Sequence, residues 1–496
     1  MLEKQIYNPY LPMWEYVPDG EPHVFGNRVY VYGSHDKADG QTYCEENYVV
    51  WSAPVEDLTD WKCHGISYRK EQDPHNISGQ NQLWAPDVCR GSDGRYYMYY
   101  CLAFEPEIGI AVSDNPEGPF EFYNYVRDPE GNIWHEDLPF DPGVLYEDEE
   151  NIWLYSGFGA VPIPEVTKEM LKQQENLKNI PDEKLDQIYK QVQVMAHTSK
   201  NCSCLRLDKD MKTIRNVTAV IPTKSMADHT SFAEHPFYEA SSIRKIGDLY
   251  YLVYSSLQGH ELCYAVSQYA DRDFTFGGVI ISNCDLGVHE NEKARTYYGN
   301  NHGGMENING QWYIFYHRHT NKTQFSRQGC AEKIEILEDG SIPQVEMTSC
   351  GLNNGPLKAG ATYPAAISCN LWWRDGGMLI EGQHPFDDNI PFLTEENGEE
   401  KQKIMYVCNM HKSAICGIKY LEFNGEKKVG LKVRGKGTIE IKLDSEYGDA
   451  IGRVEIDSEE WQEYIVEIAK IEGVHAVYFE VKEEEHAIDF QKISFM

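Results

Sequence analysis

The sequence predicts an all-β fold, a five-bladed β-propeller followed by a β-sandwich domain. At five places an acidic residue or a histidine stands nine to twelve residues ahead of an aromatic, strand-like run. A turn sequence separates the polar residue from each run, which predicts a hairpin. After about residue 350 the pattern changes to short alternating runs between glycine turns, which is typical of a β-sandwich.

The five polar residues recur in phase with these hairpins. Their aromatic runs begin 57 to 97 residues apart, a spacing that suits a four-stranded blade with its loops. Because the first strand of every blade lines the axis of a propeller, we expect the five side chains to form a ring at the floor of one pocket. The ring consists of Asp19, Asp87, Asp141, Glu239 and His302.

The longest gap between hairpins contains a helical insertion at about residues 163–196. Leu185, Ile188 and Val192 follow the i, i+3, i+7 spacing of an amphipathic helix. A place at the pocket rim and a purely structural or oligomer-contact role are both open for this segment. We assign residues 1–345, with the insertion, to the propeller and residues 350–496 to the sandwich.

The composition restricts the partners. The chain has 79 acidic and 45 basic residues, a net charge of −34, so it should repel nucleic acid and anionic lipid. Its 33 Tyr and 10 Trp suit a neutral sugar, which aromatic faces and hydrogen bonds bind. With neither an apolar run of membrane-span length nor a signal-peptide pattern, a cytoplasmic location and no membrane partner are expected. Apart from Cys202 and Cys204, the 13 cysteines lack paired metal-type spacing, and they are expected to be reduced.

Eight stretches between residues 8 and 340 resemble, in the right order, family 43 glycoside hydrolases, inverting enzymes that remove pentose sugars from plant polysaccharides. They include LWAPDV (83–88), FDPGVLYEDEENIWLYSG (140–157) and NNHGGMENINGQWYIFYHRH (300–319). The resemblance implies that Asp19 is the catalytic base, that Glu239 is the general acid, and that Asp141 orients and tunes this acid. The usual EGP string around the acid is here Glu239-Ala240-Ser241.

The same resemblance implies three substrate contacts. Trp84 would form an apolar wall, Arg318 would lie near the sugar hydroxyls, and His302 would lie beneath the sugar. In this family the matching histidine often contacts a bound ion, commonly calcium, through water, so a structural calcium at the axis is expected with His302 as its water-mediated partner. Imidazole is a poor direct ligand for such a hard cation. The segment 473–495 resembles family 6 carbohydrate-binding modules.

Inverting hydrolysis needs a protonated acid and an ionised base about 6.5–9.5 Å apart, and no cofactor. We therefore expect an exo-acting hydrolase that removes terminal β-xylosyl or α-L-arabinofuranosyl units from short oligosaccharides. The sequence chooses neither between these two sugars nor between oligomeric states. Two alternatives stay open: an endo-acting arabinanase with an open groove, and a non-catalytic sugar-binding propeller.

Overall fold

The computed structural model of the protein describes residues 4–136, 138–160, 166–174, 178, 180–196, 198–380, 388–396 and 403–496. Its regular structure is almost entirely β, as predicted. No helix in these ranges is long and apolar enough to cross a membrane.

Four antiparallel sheets of four strands each form the first four blades. The innermost strand comes first in each blade and each strand pairs with the next one in the sequence, so the predicted hairpins and four-stranded blades are confirmed. The strands are β1–β4 (Glu21–Phe25, Arg28–Tyr32, Tyr48–Pro54, Lys62–Tyr68), β5–β8 (Leu83–Arg90, Tyr96–Leu102, Ile108–Ser113, Glu121–Tyr125), β9–β12 (Gly143–Asp148, Asn151–Ser156, Asn201–Leu207, Ile214–Pro222) and β13–β16 (Phe237–Ile246, Leu249–Ser256, Glu261–Ser267, Thr275–Ser282).

The fifth blade has three strands among the described residues, β17 (Met305–Ile308), β18 (Gln311–Thr320) and β19 (Thr323–Ile334). The segment that precedes β1 packs along β19. There the Asn8 side chain donates to the carbonyl of Ala331 at 3.0 Å and accepts from the N–H of the same residue at 3.0 Å. This contact closes the ring, since it joins the start of the chain to the last blade.

The aromatic runs of the sequence are the second strands of the blades. Leu249–Ser256 is buried at seven of its eight positions. Each second strand lies between two neighbouring blades, so both of its faces are covered, and a continuous apolar run replaces the alternation of a half-exposed strand. At the axis the first strands approach closely: a Cβ added at Gly304 would collide with Glu21 Oε2 and Ser242 Oγ. This glycine lets the first strands of three blades meet.

Helices α1 (Lys168–Gln173) and α2 (Asp182–Ala196) form the predicted insertion, between β10 and β11 of the third blade. Leu185 is buried and Ile188 and Val192 are half-buried, as the spacing predicts. Residues 163–165, 175–177 and 179 of the predicted segment lie outside the described residues. The role of the insertion at the pocket rim stays a prediction.

The C-terminal part is one hydrogen-bonded sheet of nine strands that curls around a single apolar core. Its curvature comes from β26 and β28, which pair over most of their length through several register shifts. At one shift Gly435 has φ 119, and a Cβ there would strike the carbonyl of Ala487. The predicted boundary near residues 345–350 lies between β19 and this sheet. The strands are β20–β28 (Leu357–Lys358, Thr362–Pro364, Asn370–Trp373, Phe392–Glu395, Met405–Met410, Ala414–Asn424, Lys428–Leu443, Ala450–Glu467, Glu472–Phe495).

Candidate active site

A pocket of about 250 Å³ opens at the end of the propeller where the first strands begin. Four of the five predicted ring residues line it, together with Trp84; Asp87 is not among the lining residues. Strands from different blades thus bring together residues that are far apart in the sequence. The lining consists of Asp19, Thr42, Tyr43, Cys44, Trp84, Ala85, Phe104, Phe140, Asp141, Phe158, Tyr238, Glu239, Asn300, His302 and Arg327.

The backbone is strained at the three carboxylates of the pocket. Asp19 has φ 55 and Asp141 has φ 46, and each lies two residues before the first strand of its blade. Ala240, the residue after Glu239, has φ 69, and the pairing of β13 shifts register on both sides of Glu239. A left-handed residue costs about 1–3 kcal/mol in such positions and is concentrated at functional sites. Around Glu239 the strand ladder is interrupted, whereas Asp19 and Asp141 lie just before the ladders of their blades begin.

Asp19 is buried and held by two cationic or polar groups of the fifth blade. Arg327 Nη1 donates to Asp19 Oδ1 at 2.8 Å, and His317 Nδ1 lies 3.3 Å from the same oxygen. Burial alone would raise the pKa of Asp19, but the Arg327 charge outweighs it and holds that pKa below its usual range. Asp19 is therefore ionised at neutral pH and suited to act as a base.

Arg327 is itself fixed by a second carboxylate. Its Nε donates to Asp36 Oδ2 at 2.8 Å and its Nη2 to Asp36 Oδ1 at 3.1 Å, a bidentate pair, and the Arg327 side chain is 2% exposed. Sequence reasoning missed this arginine, because SRQGC carries no motif and only the folded pairing shows its role.

Glu239 has the opposite electrostatic environment. Burial raises its pKa well above the usual range, and the nearby Asp141 carboxylate raises it further, whereas His302 opposes the shift. Glu239 is thus protonated at neutral pH and suited to act as an acid. Two carboxyl groups of one pocket, Asp19 and Glu239, have pKa values pushed in opposite directions, which is the pattern of an acid and base pair.

Asp141 links the acid to the pocket floor. Its Oδ2 accepts from the N–H of Ala240 at 3.2 Å and lies 3.4 Å from His302 Nδ1. Burial would lower the pKa of His302, but the Asp141 charge outweighs it and raises this pKa to about 9. Asp141 therefore both fixes the peptide next to Glu239 and contributes the negative charge that keeps Glu239 protonated.

One wall of the pocket is a continuous aromatic belt. Neighbouring ring centroids lie 5.0–5.4 Å apart along the series. Sequence reasoning placed only Trp84 there, because the other rings lie at strand ends and in loops without periodicity. An apolar wall of this kind can pack against the C–H groups of a sugar ring, and it excludes water from the acid. The belt consists of Phe104, Trp84, Phe140, Phe158 and Tyr238.

The predicted sugar contact of Arg318 is wrong. Its guanidinium donates to Gln328 Oε1 at 2.9 Å, to the carbonyl of Ala366 at 2.8 Å and to that of Ser368 at 3.3 Å, and it does not line the pocket. The arginine joins the last blade to the C-terminal part of the chain. Arg327 takes the place in the pocket that the sequence assigned to Arg318.

The residues around His302 fit a divalent cation poorly. Hard cations prefer oxygen ligands, and the raised pKa of His302 makes its imidazole a cation at neutral pH. Deeper at the axis, Glu21, His23 and Asp87 bring donor atoms within 4.8 Å of one another. However, Arg244 already pairs with Glu21 Oε1 at 2.7 Å. The predicted calcium stays a prediction.

Comparisons with known proteins place the chain in a family. A profile of glycosyl hydrolases family 43 matches residues 17–187 and 185–342. A xylosidase/arabinosidase of Thermoclostridium stercorarium is 44% identical over 490 residues, 96% of each chain. The Xanthomonas citri enzyme complexed with xylotriose shares the propeller fold, with 22% identity, a TM-score of 0.50 and coverage of 69% of this chain and 94% of that one.

A second solved structure extends the likeness of fold beyond the propeller. It is an exo-β-1,3-galactanase of Phanerochaete chrysosporium with galactose, 12% identical, with a TM-score of 0.52 and coverage of 100% of this chain and 99% of that one. The profile match covers the five blades that hold the pocket, and the close relative spans nearly the full length. The chain is therefore a glycoside hydrolase and belongs to glycosyl hydrolases family 43.

Proposed function

We propose that this hydrolase is an inverting, exo-acting enzyme that removes terminal β-xylosyl or α-L-arabinofuranosyl units from plant-derived oligosaccharides. The observation that carries the proposal is the pair of buried carboxyl groups in one pocket: Arg327 pairs with Asp19 and favours its ionised form, and burial beside Asp141 favours the protonated form of Glu239. The sugar classes are supported by the relative of Thermoclostridium stercorarium, a xylosidase/arabinosidase.

The reaction is a single displacement. Asp19 takes a proton from a water molecule, whose oxygen bonds to the anomeric carbon, while Glu239 gives its proton to the departing glycosidic oxygen. The described contacts of the Asp19 carboxylate use Oδ1, so Oδ2 is the oxygen that meets the water. Both proton-transfer groups are side chains of the protein, and we propose that the chemistry needs no cofactor.

The size of the pocket favours action at a chain end. Its volume of about 250 Å³ is below the roughly 300–1,000 Å³ of common ligand pockets, so it suits one sugar unit. An endo-acting arabinanase would need an open groove for units on both sides. A non-catalytic propeller would gain little from confining Glu239 beside Asp141, since this burial only raises the pKa of Glu239. The cytoplasmic location and the oligomeric state stay outside this proposal.

The stereochemistry of the first product tests the proposed function. Nitrophenyl β-xyloside should give α-xylose, and nitrophenyl α-L-arabinofuranoside should give β-arabinose, each observed by proton NMR before the anomers equilibrate. A β-anomer released first from the xyloside would contradict the single displacement. The absence of hydrolysis with either pentoside would contradict the sugar assignment.

Replacing Asp141 by Asn should move the alkaline limb of the pH profile to lower pH. The acid must be protonated, so activity is lost as the pH rises through the pKa of Glu239. Burial and the Asp141 charge both raise this pKa, and removal of the charge lowers it. The profile of kcat/KM against pH for both enzymes measures the shift. An alkaline limb that stays in place or moves upward would contradict the coupling.

A further inference from the structure

A buried histidine, His317, contacts the proposed catalytic base, Asp19. The proposed reaction assigns this histidine no role. His317 lies on β18, and its side chain is 0% exposed. Its Nε2 is 2.8 Å from the carbonyl oxygen of Asn300, and its Nδ1 is 3.4 Å from the backbone nitrogen of Asp19. The ring thus bridges the segment before β1 and the loop before β17, where the first and last blades meet.

The hydrogen-bond partners define the tautomer of the ring. A carbonyl oxygen only accepts hydrogen bonds, so Nε2 carries a hydrogen and donates it to Asn300. In the neutral ring Nδ1 is then a bare acceptor, which is what the N–H of Asp19 requires. The same nitrogen lies 3.3 Å from Asp19 Oδ1 and donates nothing to it, because Arg327 Nη1 is the donor to that oxygen. One neutral imidazole thus donates to Asn300 through Nε2 and accepts from Asp19 through Nδ1.

The surroundings of the ring keep it neutral. Burial lowers the pKa of His317; Asp19 opposes this shift, and the Arg327 charge reinforces it, so the pKa stays below its usual range. The other titratable ring in contact, His319, lies 5.5 Å away between centroids, and its pKa is also lowered, mainly by burial. Arg327 therefore supplies the positive charge beside Asp19, and the neutral His317 does not.

The backbone of Asp19 shows what the neutral ring does. With φ 55 the residue lies outside the ladder of β1, which begins at Glu21, so its N–H needs an acceptor from elsewhere. His317 Nδ1 is that acceptor. A small rotation of this peptide would swing the carboxylate, and a misplacement of about 1 Å can reduce an enzymatic rate by about 100-fold.

We propose that His317 is a positioning residue for the catalytic base: its bare Nδ1 accepts the Asp19 N–H, fixes the left-handed backbone, and so aims Oδ2 at the attacking water. The inference rests on the proposed function of Asp19. His317 touches neither the sugar nor the water, and it acts only through Asp19. Its Nε2–H bond to Asn300 sets the direction of the ring.

Two substitutions separate the two sides of the ring. In His317→Asn the side-chain oxygen takes the place of Nδ1 and keeps an acceptor for Asp19, whereas the donor to Asn300 is lost. In His317→Gln the amide nitrogen takes the place of Nε2 and keeps that donor, whereas the acceptor is lost. We expect His317→Gln to lower kcat on a nitrophenyl pentoside by about 100-fold with little change in KM, and His317→Asn to recover about tenfold of this loss.

The measurements are kcat, KM and the midpoint of thermal unfolding for both variants. Equal losses of kcat in the two variants, or a loss confined to KM, would overturn the inference, because packing or sugar binding would then explain the histidine. Wild-type enzyme that fails to invert would refute the proposed function instead. Nitrogen-15 NMR of labelled histidine adds a test on the wild type, with the signal assigned by its absence from whichever variant folds. A protonated Nδ1 at neutral pH would overturn the inference.

Discussion

Replacing Glu239 by Gln should reduce kcat on an unactivated pentosyl disaccharide by about 1,000-fold, within the usual range of general acid catalysis. The amide has nearly the shape of the protonated acid, but it cannot deliver a proton to the departing oxygen. A dinitrophenyl pentoside has a leaving group that needs no proton, so its hydrolysis should retain most of its rate. The ratio of kcat values on the two substrates, measured for both enzymes, isolates the acid function.

Replacing Asp19 by Asn provides the matched contrast. Activation of water is required whatever the leaving group is, so this variant should lose a similar factor on both substrates. Glu306→Gln is the control, since Glu306 is an axial carboxylate that does not line the pocket, and its removal should spare kcat. Retention of full activity on the disaccharide by Glu239→Gln would refute the acid assignment. If the loss of kcat in Asp19→Asn depended on the leaving group, Asp19 would be the acid and Glu239 the base.

The ring was predictable because its spacing follows from the architecture. A polar residue that recurs at the start of each blade must meet its counterparts at the axis, whatever the loops do. Asp19, Asp141, Glu239 and His302 accordingly reach one pocket. Asp87 recurs in phase too, but its Oδ2 accepts from the N–H of Val144 at 2.6 Å, in the neighbouring blade, and its role is to join blades.

The sequence could not show whether Arg318 or Arg327 lies in the pocket, because this depends on which face of its strand each residue occupies. In the antiparallel pair of β18 and β19, Arg318 lies opposite Gln328 and His319 lies opposite Arg327. Opposite residues share a face and adjacent residues do not, so Arg327 and the two histidines around Arg318 face the axis side. Arg318 therefore faces away, toward the C-terminal part. A sequence without known pairing does not show which face is inward.

The aromatic belt and the strand pairing of the C-terminal β domain were also beyond sequence reasoning. Phe104, Phe140 and Phe158 lie outside the regular strands, and only the fold brings their rings into contact. In the C-terminal part the short alternating runs predicted strands correctly. However, register shifts and glycine bends determine whether strands form two sheets or one curled sheet, and alternation does not report them.

Replacing Arg327 by Met should lower the free energy of unfolding by about 3–5 kcal/mol at neutral pH, the cost of breaking a buried ion pair by removing one partner. Asp36 and Asp19 would both lose their cation, and their side chains are 0% and 6% exposed. The methionine side chain keeps much of the volume of the arginine. The lost free energy of unfolding therefore measures mainly the removal of the positive charge. Urea unfolding followed by two probes measures it.

The pH dependence of this loss identifies its cause. In the wild type the folded-state pKa of Asp19 lies below its unfolded value, so this pairing stabilises above the unfolded pKa and is lost as the pH falls through the folded one. Without Arg327, burial places the folded pKa above the unfolded value, and protonation at mildly acidic pH relieves the penalty. The difference between Arg327→Met and wild type should therefore shrink as the pH falls. Arg318→Met is the control, because the acceptors of the Arg318 guanidinium are neutral. Its loss of stability should be the same at neutral and at mildly acidic pH. Equal pH dependence of the two variants would contradict the assignment.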